Sequence, residues 1–147
     1  MKNYKYLDDL GIEKKEQYQN WFDETIGDRR EKEWEKQRDK YGIDERETWN
    51  WNEEFMDYCY IHLKMYNKVN KVDLTYHKIT YEGTEMTVQE AIDKILEWFE
   101  KEYYPDRGDL FSTDKPYDQI VEEHLAYVKT YEYTMHLLVD IMPYLWW

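Results

Sequence analysis

The chain has 147 residues, of which 18% are aromatic and 36% are charged, and its formal net charge is −13. With only 5 Gly and 3 Pro beside so many aromatic residues, this composition excludes a disordered or low-complexity chain. The single cysteine excludes an intramolecular disulfide and a multi-cysteine metal site, and no apolar run approaches the roughly 20 residues that cross a bilayer.

Two short charged helices are predicted near the start of the chain, over residues 13–24 and 28–40. In each segment a few aromatic side chains, such as Trp34 in the second, interrupt charged residues, which is typical of a helix lying on a protein surface. Asp28 and Asp44 each precede a predicted helix. We expect their carboxylates to accept hydrogen bonds from the first free amides of those helices.

A longer helix is predicted from residue 44 to about residue 68. Its apolar and aromatic side chains recur in steps of 4, 3, 4, 3 and 4, which places them on one helical stripe. The stripe consists of Trp51, Phe55, Tyr58, His62, Met65 and Val69. We expect it to face the interior of a helical bundle.

The pattern changes over residues 74–87, where β-branched and aromatic residues flank Glu82 and Gly83. A Glu-Gly pair suits a tight turn when the Gly adopts a positive φ, so we predict a small hairpin. Thr87 and Glu90 then have the spacing of a capping box, in which each side chain accepts from the other residue's backbone amide. The helix that follows carries a predicted core stripe of Val88, Ile92, Ile95, Phe99 and Tyr103.

A final helix is predicted from Pro116 to Pro143, after a loop over residues 105–109. Its apolar positions recur in steps of three and four, which suits an intramolecular seam and also resembles a heptad seam between chains. They are Val121, His124, Val128, Tyr131, Met135, Leu138 and Met142. Together these elements predict one α+β domain over residues 1–147, a mostly helical bundle with a small β-hairpin. Since no apolar signal segment is evident, we expect a cytoplasmic protein.

The chain offers few groups for catalysis. Its histidines lack the spacing of a metal site, and no hydroxyl lies in a nucleophile elbow or a glycine-rich phosphate loop. We therefore predict no catalytic residue, no metal and no cofactor, and we expect Cys59 to be a small buried apolar side chain. The competing enzyme hypothesis is a metal-dependent hydrolase that uses His62, His124, Glu132 and His136.

Acidic residues are concentrated in the C-terminal part of the chain. Residues 1–81 hold 18 acidic and 15 basic residues, whereas residues 82–147 hold 15 and 5. Such a field repels nucleic acid and anionic membranes and attracts basic proteins, although the same acids also serve a purely solubilising surface. The predicted partner-binding set combines acidic residues with aromatic anchors: Glu97, Glu100, Glu102, Asp106, Asp109, Asp114, Asp118, Glu122, Glu123, Trp98, Tyr103, Tyr104 and Phe111.

These features favour a non-enzymatic protein that binds another protein. The leading hypothesis is an inhibitor or adaptor whose acidic face occupies the basic nucleic-acid-binding site of a partner, such as a nuclease or effector. A phage-encoded anti-defence protein, such as an anti-CRISPR, would act in this way. The alternative is a homo-oligomeric assembly protein, with a homodimer formed through the C-terminal apolar helix and the tail residues Trp146 and Trp147. Neither hypothesis includes direct binding of nucleic acid or of a membrane.

Overall fold

The computed structural model describes residues 9–10, 27–49, 51–106 and 114–146, so the helix predicted over residues 13–24 lies outside the described residues. Its elements confirm the prediction of a mostly helical α+β fold with a small antiparallel hairpin. Backbone contacts divide the chain into two compact units, Met1–His62 and Leu63–Trp147, and the expectation of one domain stays a prediction. None of the helices in the described part of the chain is both long enough and apolar enough to cross a membrane.

Helix α1 spans Glu31–Tyr41 and begins three residues later than predicted. Its N-cap is Arg30, which makes no side-chain capping hydrogen bond, so the prediction that Asp28 caps this helix is wrong. The Asp28 carboxylate instead accepts from the Arg30 amide at 2.8 Å and from the Arg30 guanidinium at 3.2 Å, which forms a local turn ahead of the helix. The helix ends at Gly42, whose φ of 76° is readily adopted only by a residue without a side chain.

Trp34 is the fully buried side chain of α1, as expected for the anchor of a charged helix. Two cations lie close to its ring, because the guanidinium carbons of Arg30 and Arg46 are 4.7 and 4.9 Å from the ring centroid. The edge of Trp49 packs against it with centroids 5.6 Å apart. The indole N–H donates to Glu45 Oε1 at 2.6 Å, so both the apolar ring and its polar atom have partners.

Asp44 is a helix cap, as predicted, but it caps a short 3-10 helix, Glu45–Thr48, and not the longer helix that was predicted to begin at residue 44. A capping box is present, since the Asp44 side chain accepts from the N3 amide while the Glu47 carboxylate accepts from the Asp44 amide at 3.3 Å. The Asp44 carboxylate also accepts from the Arg46 side chain at 2.8 and 2.9 Å and from Arg38 Nε at 2.9 Å. A buried carboxylate thus holds two guanidinium groups beside the cap.

Helix α2 spans Trp51–Val69, and the prediction that its stripe faces the interior is wrong for the first four of its six positions, while Met65 and Val69 are half-buried. Trp51, Phe55 and Tyr58 are 71, 49 and 60% exposed, and His62 is exposed as well. These four side chains lie at steps of 4, 3 and 4 along the helix, and we call them the outer stripe. They cover one solvent-facing side of α2.

The buried side of α2 carries Met56, Asp57 and Leu63. At 100° per residue these positions lie opposite the outer stripe, so both sides of the helix carry apolar groups. A hydrophobic period identifies a stripe but not the direction in which it faces, which explains why the prediction failed for this helix. Farther along the helix, Lys64 Nζ is 3.1 Å from a Glu100 carboxylate oxygen in an ion pair at the surface.

The predicted hairpin is confirmed. Strand β1, Lys78–Tyr81, pairs antiparallel with strand β2, Thr84–Thr87, and Tyr81 lies opposite Thr84 in the register. Glu82 and Gly83 form the turn, with φ values of 47° and 77°. Two successive positive φ angles are the signature of a type I′ turn, whose twist matches that of the strands.

Helix α3, Val88–Trp98, follows β2 directly and begins at the predicted capping box. Thr87 Oγ1 accepts from the Glu90 amide at 3.1 Å, and Glu90 Oε2 accepts from the Thr87 amide at 2.7 Å. The helix continues through a π-helical turn, Phe99–Tyr103, closed by the Tyr104 amide donating to the Phe99 carbonyl, and one further helical turn, Tyr104–Asp106. The predicted core stripe is confirmed, because Val88, Ile92, Ile95, Phe99 and Tyr103 are all buried.

Helix α4 spans Tyr117–Ile141, with Pro116 as its N-cap and a short 3-10 turn, Met142–Tyr144, after it. It packs against α3 in the same unit. Its buried residues, Thr134, Leu137, Leu138 and Ile141, all belong to the C-terminal half.

The seam predicted for α4 is therefore wrong over most of its length. Of its seven positions only Leu138 is buried, while Val121, His124 and Met142 are exposed and the other three are half-buried. Residues 117–126 form almost three helical turns that are exposed except for a half-buried Ile120. The first half of α4 therefore adds little to the core and presents its side chains to solvent.

Candidate binding surface

The predicted acidic set is partly neutralised by lysines. Three of its members form ion pairs: Glu97 with Lys101, Glu100 with Lys64 at 3.1 Å, and Glu123 with Lys115 at 2.7 Å. Hydrogen bonds from Lys101 and Lys115 lower the pKa values of the Glu97 and Glu123 carboxyls. These carboxylates already have a cation beside them, so they contribute less to an outward negative field.

Asp114, Asp118 and Glu122 are the exposed acids at the start of α4 and in the turn before it. All three are exposed, and none makes an ion pair or a side-chain hydrogen bond within the described ranges. Asp118 and Glu122 are four residues apart on α4, so their side chains lie on one face with Cβ atoms about 6 Å apart. Asp114 lies in the turn that precedes the helix. Within the described part of the chain, these three residues are the members of the predicted acidic set that face solvent without a cation beside them.

Two of the predicted aromatic anchors, Trp98 and Tyr103, are buried, so they are core residues rather than contact residues in this structure. Trp98 packs against Phe99, Tyr103, Tyr127 and Tyr131, with ring centroids 5.2 to 6.1 Å apart. Its indole N–H donates to Thr130 Oγ1 at 3.1 Å, which links α3 to α4. The physical reason for the difference is that the Trp98 ring fills the space between α3 and α4, while the Tyr103 ring packs against Trp98 and Phe99.

The other predicted contact residues fall outside this cluster or outside the described ranges. Tyr104 is half-buried, with its ring 5.1 Å from that of Tyr103. Glu102 is also half-buried. The side chain of Asp106, together with Asp109 and Phe111, lies outside the described part of the chain.

An apolar stripe on α4 accompanies the acidic one and was not predicted as a contact site. Tyr117, Val121 and Leu125 are exposed and recur every four residues, so they form a row beside Asp118 and Glu122 on adjoining faces of the helix. We call these five residues, with Asp114, the α4 surface. The spacing of four is visible in the sequence, but Val121 also fits the predicted inward seam, and the period alone does not distinguish the two faces.

The structure also contains an open cleft of about 770 Å³ between α3 and α4. Its lining mixes both signs of charge, with Glu82, Glu97, Glu102 and Glu132 beside Lys94, Lys101 and Lys129, above the Trp98 ring. The hydroxyl of Thr130 on its wall is engaged, since it accepts from the Trp98 indole and donates to the Tyr127 carbonyl at 3.0 Å. The cleft therefore presents neither a concentrated negative nor a concentrated positive field.

The histidines of the enzyme hypothesis are surface residues. His62, His124 and His136 are exposed, and His62 Nδ1 is hydrogen-bonded to the Tyr58 carbonyl at 2.8 Å. In the described part of the chain no three His, Cys, Asp or Glu side chains gather to hold a metal ion. Among these residues, the histidines and Glu132 therefore do not form the metal site that the enzyme hypothesis requires.

Cys59 is half-buried on α2 rather than fully buried as expected. Burial raises the pKa of its thiol, because the protein interior disfavours the charged thiolate.

Comparison of the chain with protein-family models, with curated proteins and with solved structures finds no match.

Proposed function

We propose that the chain is a non-enzymatic, protein-binding inhibitor or adaptor, and that it contacts its partner through the α4 surface. The observation that supports this proposal is the exposure of the first half of α4. Two carboxylates and three apolar side chains share this segment and Asp114 precedes it, and within the described ranges none of the three acids has a cationic partner. The segment itself adds little to the core. Exposed apolar rows bordered by charge are typical of protein contact surfaces.

The charge of the α4 surface favours a basic partner. Residues 82–147 carry 15 acidic and 5 basic residues, so the long-range field reinforces the local carboxylates. A groove that binds the phosphates of nucleic acid is lined with Arg and Lys and complements a row of carboxylates. The proposed partner is therefore a nucleic-acid-binding protein, such as a nuclease or effector, whose binding groove the α4 surface would occupy.

The proposal is tested by capture of partners from a lysate of the source cells on the immobilised chain. Competing DNA or RNA is then added, and the released proteins are identified by mass spectrometry. A triple variant, Asp114→Asn, Asp118→Asn and Glu122→Gln, should bind the captured partner about tenfold more weakly, since exposed pairs contribute about 0.5 kcal/mol each. Added nucleic acid should release the partner from the wild-type chain.

A matched control removes three exposed acids from α1 instead, with Glu33→Gln, Glu35→Gln and Asp39→Asn. Both triple variants change the net charge equally, so only a local contact distinguishes them. If the two variants weaken binding of the partner equally, the effect comes from net charge alone, which contradicts a local contact at the α4 surface. Capture that resists both the α4 substitutions and nucleic acid would contradict the proposal.

A further inference from the structure

Among the residues that the structure describes, the outer stripe of α2 contributes little to the core. Its side chains are exposed although they are among the largest in the chain, and Met56 and Leu63 fill the opposite side of the helix. The central pair is already ordered, because the rings of Tyr58 and His62 stack with centroids 3.8 Å apart. The hydrogen bond from His62 Nδ1 to the Tyr58 carbonyl fixes the second ring on the helix surface. Ordered rings lose little conformational freedom when they are buried in a contact.

The spacing of the outer stripe is that of a coiled-coil seam. Steps of 4, 3 and 4 repeat the a and d positions of a heptad, which pack against the same positions of a matching helix. A helix with this seam is complementary to itself, since a twofold axis brings the same four side chains from each copy together. The shape of this surface therefore suits a second α2.

Charge also favours a second copy at this surface over other parts of the chain. The positions flanking the stripe include Asn52, Cys59 and Ile61, which are uncharged, and Glu54 is the acid at its edge. Two chains of net charge −13 repel each other over most of their surfaces. The outer stripe is a place where they can approach with few carboxylates between them.

The area of the stripe suits a weak contact. A buried aromatic side chain covers roughly 150–250 Å², so the exposed parts of Trp51, Phe55 and Tyr58 amount to roughly 400 Å² per copy. Two copies, with His62 and the flanking residues, then approach the lower limit of about 1,000 Å² for a specific interface. We propose that a second copy of this chain docks on the outer stripe and forms a weak symmetric dimer.

Sedimentation velocity of the full chain from about 1 to about 200 µM tests this proposal, because mass action drives a weak dimer apart on dilution. The wild-type chain should shift from monomer to dimer over this range. The shift should persist in about 500 mM salt, since apolar contacts are not screened. The double variant Phe55→Ser with Tyr58→Ser should remain monomeric, and Tyr58→Ser alone should weaken the dimer severalfold.

The matched control is the double variant Tyr117→Ser with Leu125→Ser, which removes two exposed apolar side chains from the α4 surface. It should dimerise like the wild-type chain but no longer capture the basic partner. The experiment therefore tests the dimer and the proposed function separately. A wild-type chain that stays monomeric at the highest concentration overturns the proposal. A dimer that forms equally in the α2 double variant does the same.

Discussion

The Asp44 carboxylate performs two tasks at the residue scale. It caps the 3-10 helix and holds Arg46 and Arg38, while its own side chain is completely buried. Hydrogen bonds from Arg46, with a further contribution from Arg38, lower the pKa of Asp44 from 3.8 to about 2 against the opposing effect of burial. The charged carboxylate therefore stabilises this region only while it remains ionised.

We expect Asp44→Asn to lower the free energy of unfolding by about 2 kcal/mol at neutral pH, because a depressed carboxyl pKa measures the stabilisation of the charged form. The asparagine can still cap the helix, so the change isolates the charge. The contribution of Asp44 is fully present above about pH 4 and is lost as the pH falls toward about 2. Urea unfolding followed by circular dichroism at several pH values measures the difference.

Asp39→Asn is the matched control for this charge, because Asp39 is an exposed residue of α1. That variant should unfold within about 0.5 kcal/mol of the wild-type chain. A difference between Asp44→Asn and wild type that stays constant down to pH 2 would show that the carboxylate charge is not its cause.

At the scale of elements, the hairpin turn contains a residue in an unfavourable conformation. Glu82 has a φ of 47°, which costs a residue with an ordinary side chain about 1 kcal/mol, whereas Asn tolerates it. We expect Glu82→Asn to stabilise the hairpin by roughly 0.5–1 kcal/mol and to raise the thermal midpoint of unfolding. Glu82→Ala removes the same charge without relieving the backbone and should give no such gain. Equal midpoints for the two variants would contradict this explanation.

The local elements were predictable because their signals are local. The Glu82-Gly83 turn and the Thr87 capping box each depend on residues within four positions of one another, and α3 is covered by other elements along its whole apolar stripe. The direction of the α2 stripe depends on which side other segments cover, and that information is not in the helix itself. The start of α4 is a second example. The apolar residues of the α4 surface recur with a helical period, but no other described segment covers them and they stay exposed.

For the candidate surface, the exposure of the acidic residues was predictable from the sequence, and the exposure of the aromatic residues was not. Asp114, Asp118 and Glu122 belong to the predicted set and are exposed. Tyr103 was assigned both to the core stripe of α3 and to the contact set, and the structure places it in the core. An acid is normally exposed, whereas the location of an aromatic residue follows from packing between helices.

At the scale of the whole molecule, the two compact units should respond separately to a core substitution. Ile95 is completely buried in the unit Leu63–Trp147, and we expect Ile95→Ala to destabilise that unit by about 3 kcal/mol through the cavity that it leaves. Hydrogen exchange should then accelerate in the hairpin, α3 and the second half of α4. The amides of α1 should keep their wild-type rates.

Lys94→Ala is the control for this experiment, because Lys94 is the exposed neighbour of Ile95 and its truncation leaves no cavity. It should leave exchange in all helices unchanged. An equal acceleration of exchange in α1 after Ile95→Ala would show that the chain unfolds as a single cooperative body.

The half-buried thiol of Cys59 on α2 is a built-in chemical probe of that helix. Cys59 is the one cysteine, and a thiol must ionise before it attacks an alkylating reagent, so its raised pKa makes modification slow at neutral pH. The rate of alkylation therefore reports how accessible this side of α2 is to solvent, and no label has to be engineered. Since Cys59 flanks the outer stripe, the same rate should fall whenever another molecule covers that side of the helix.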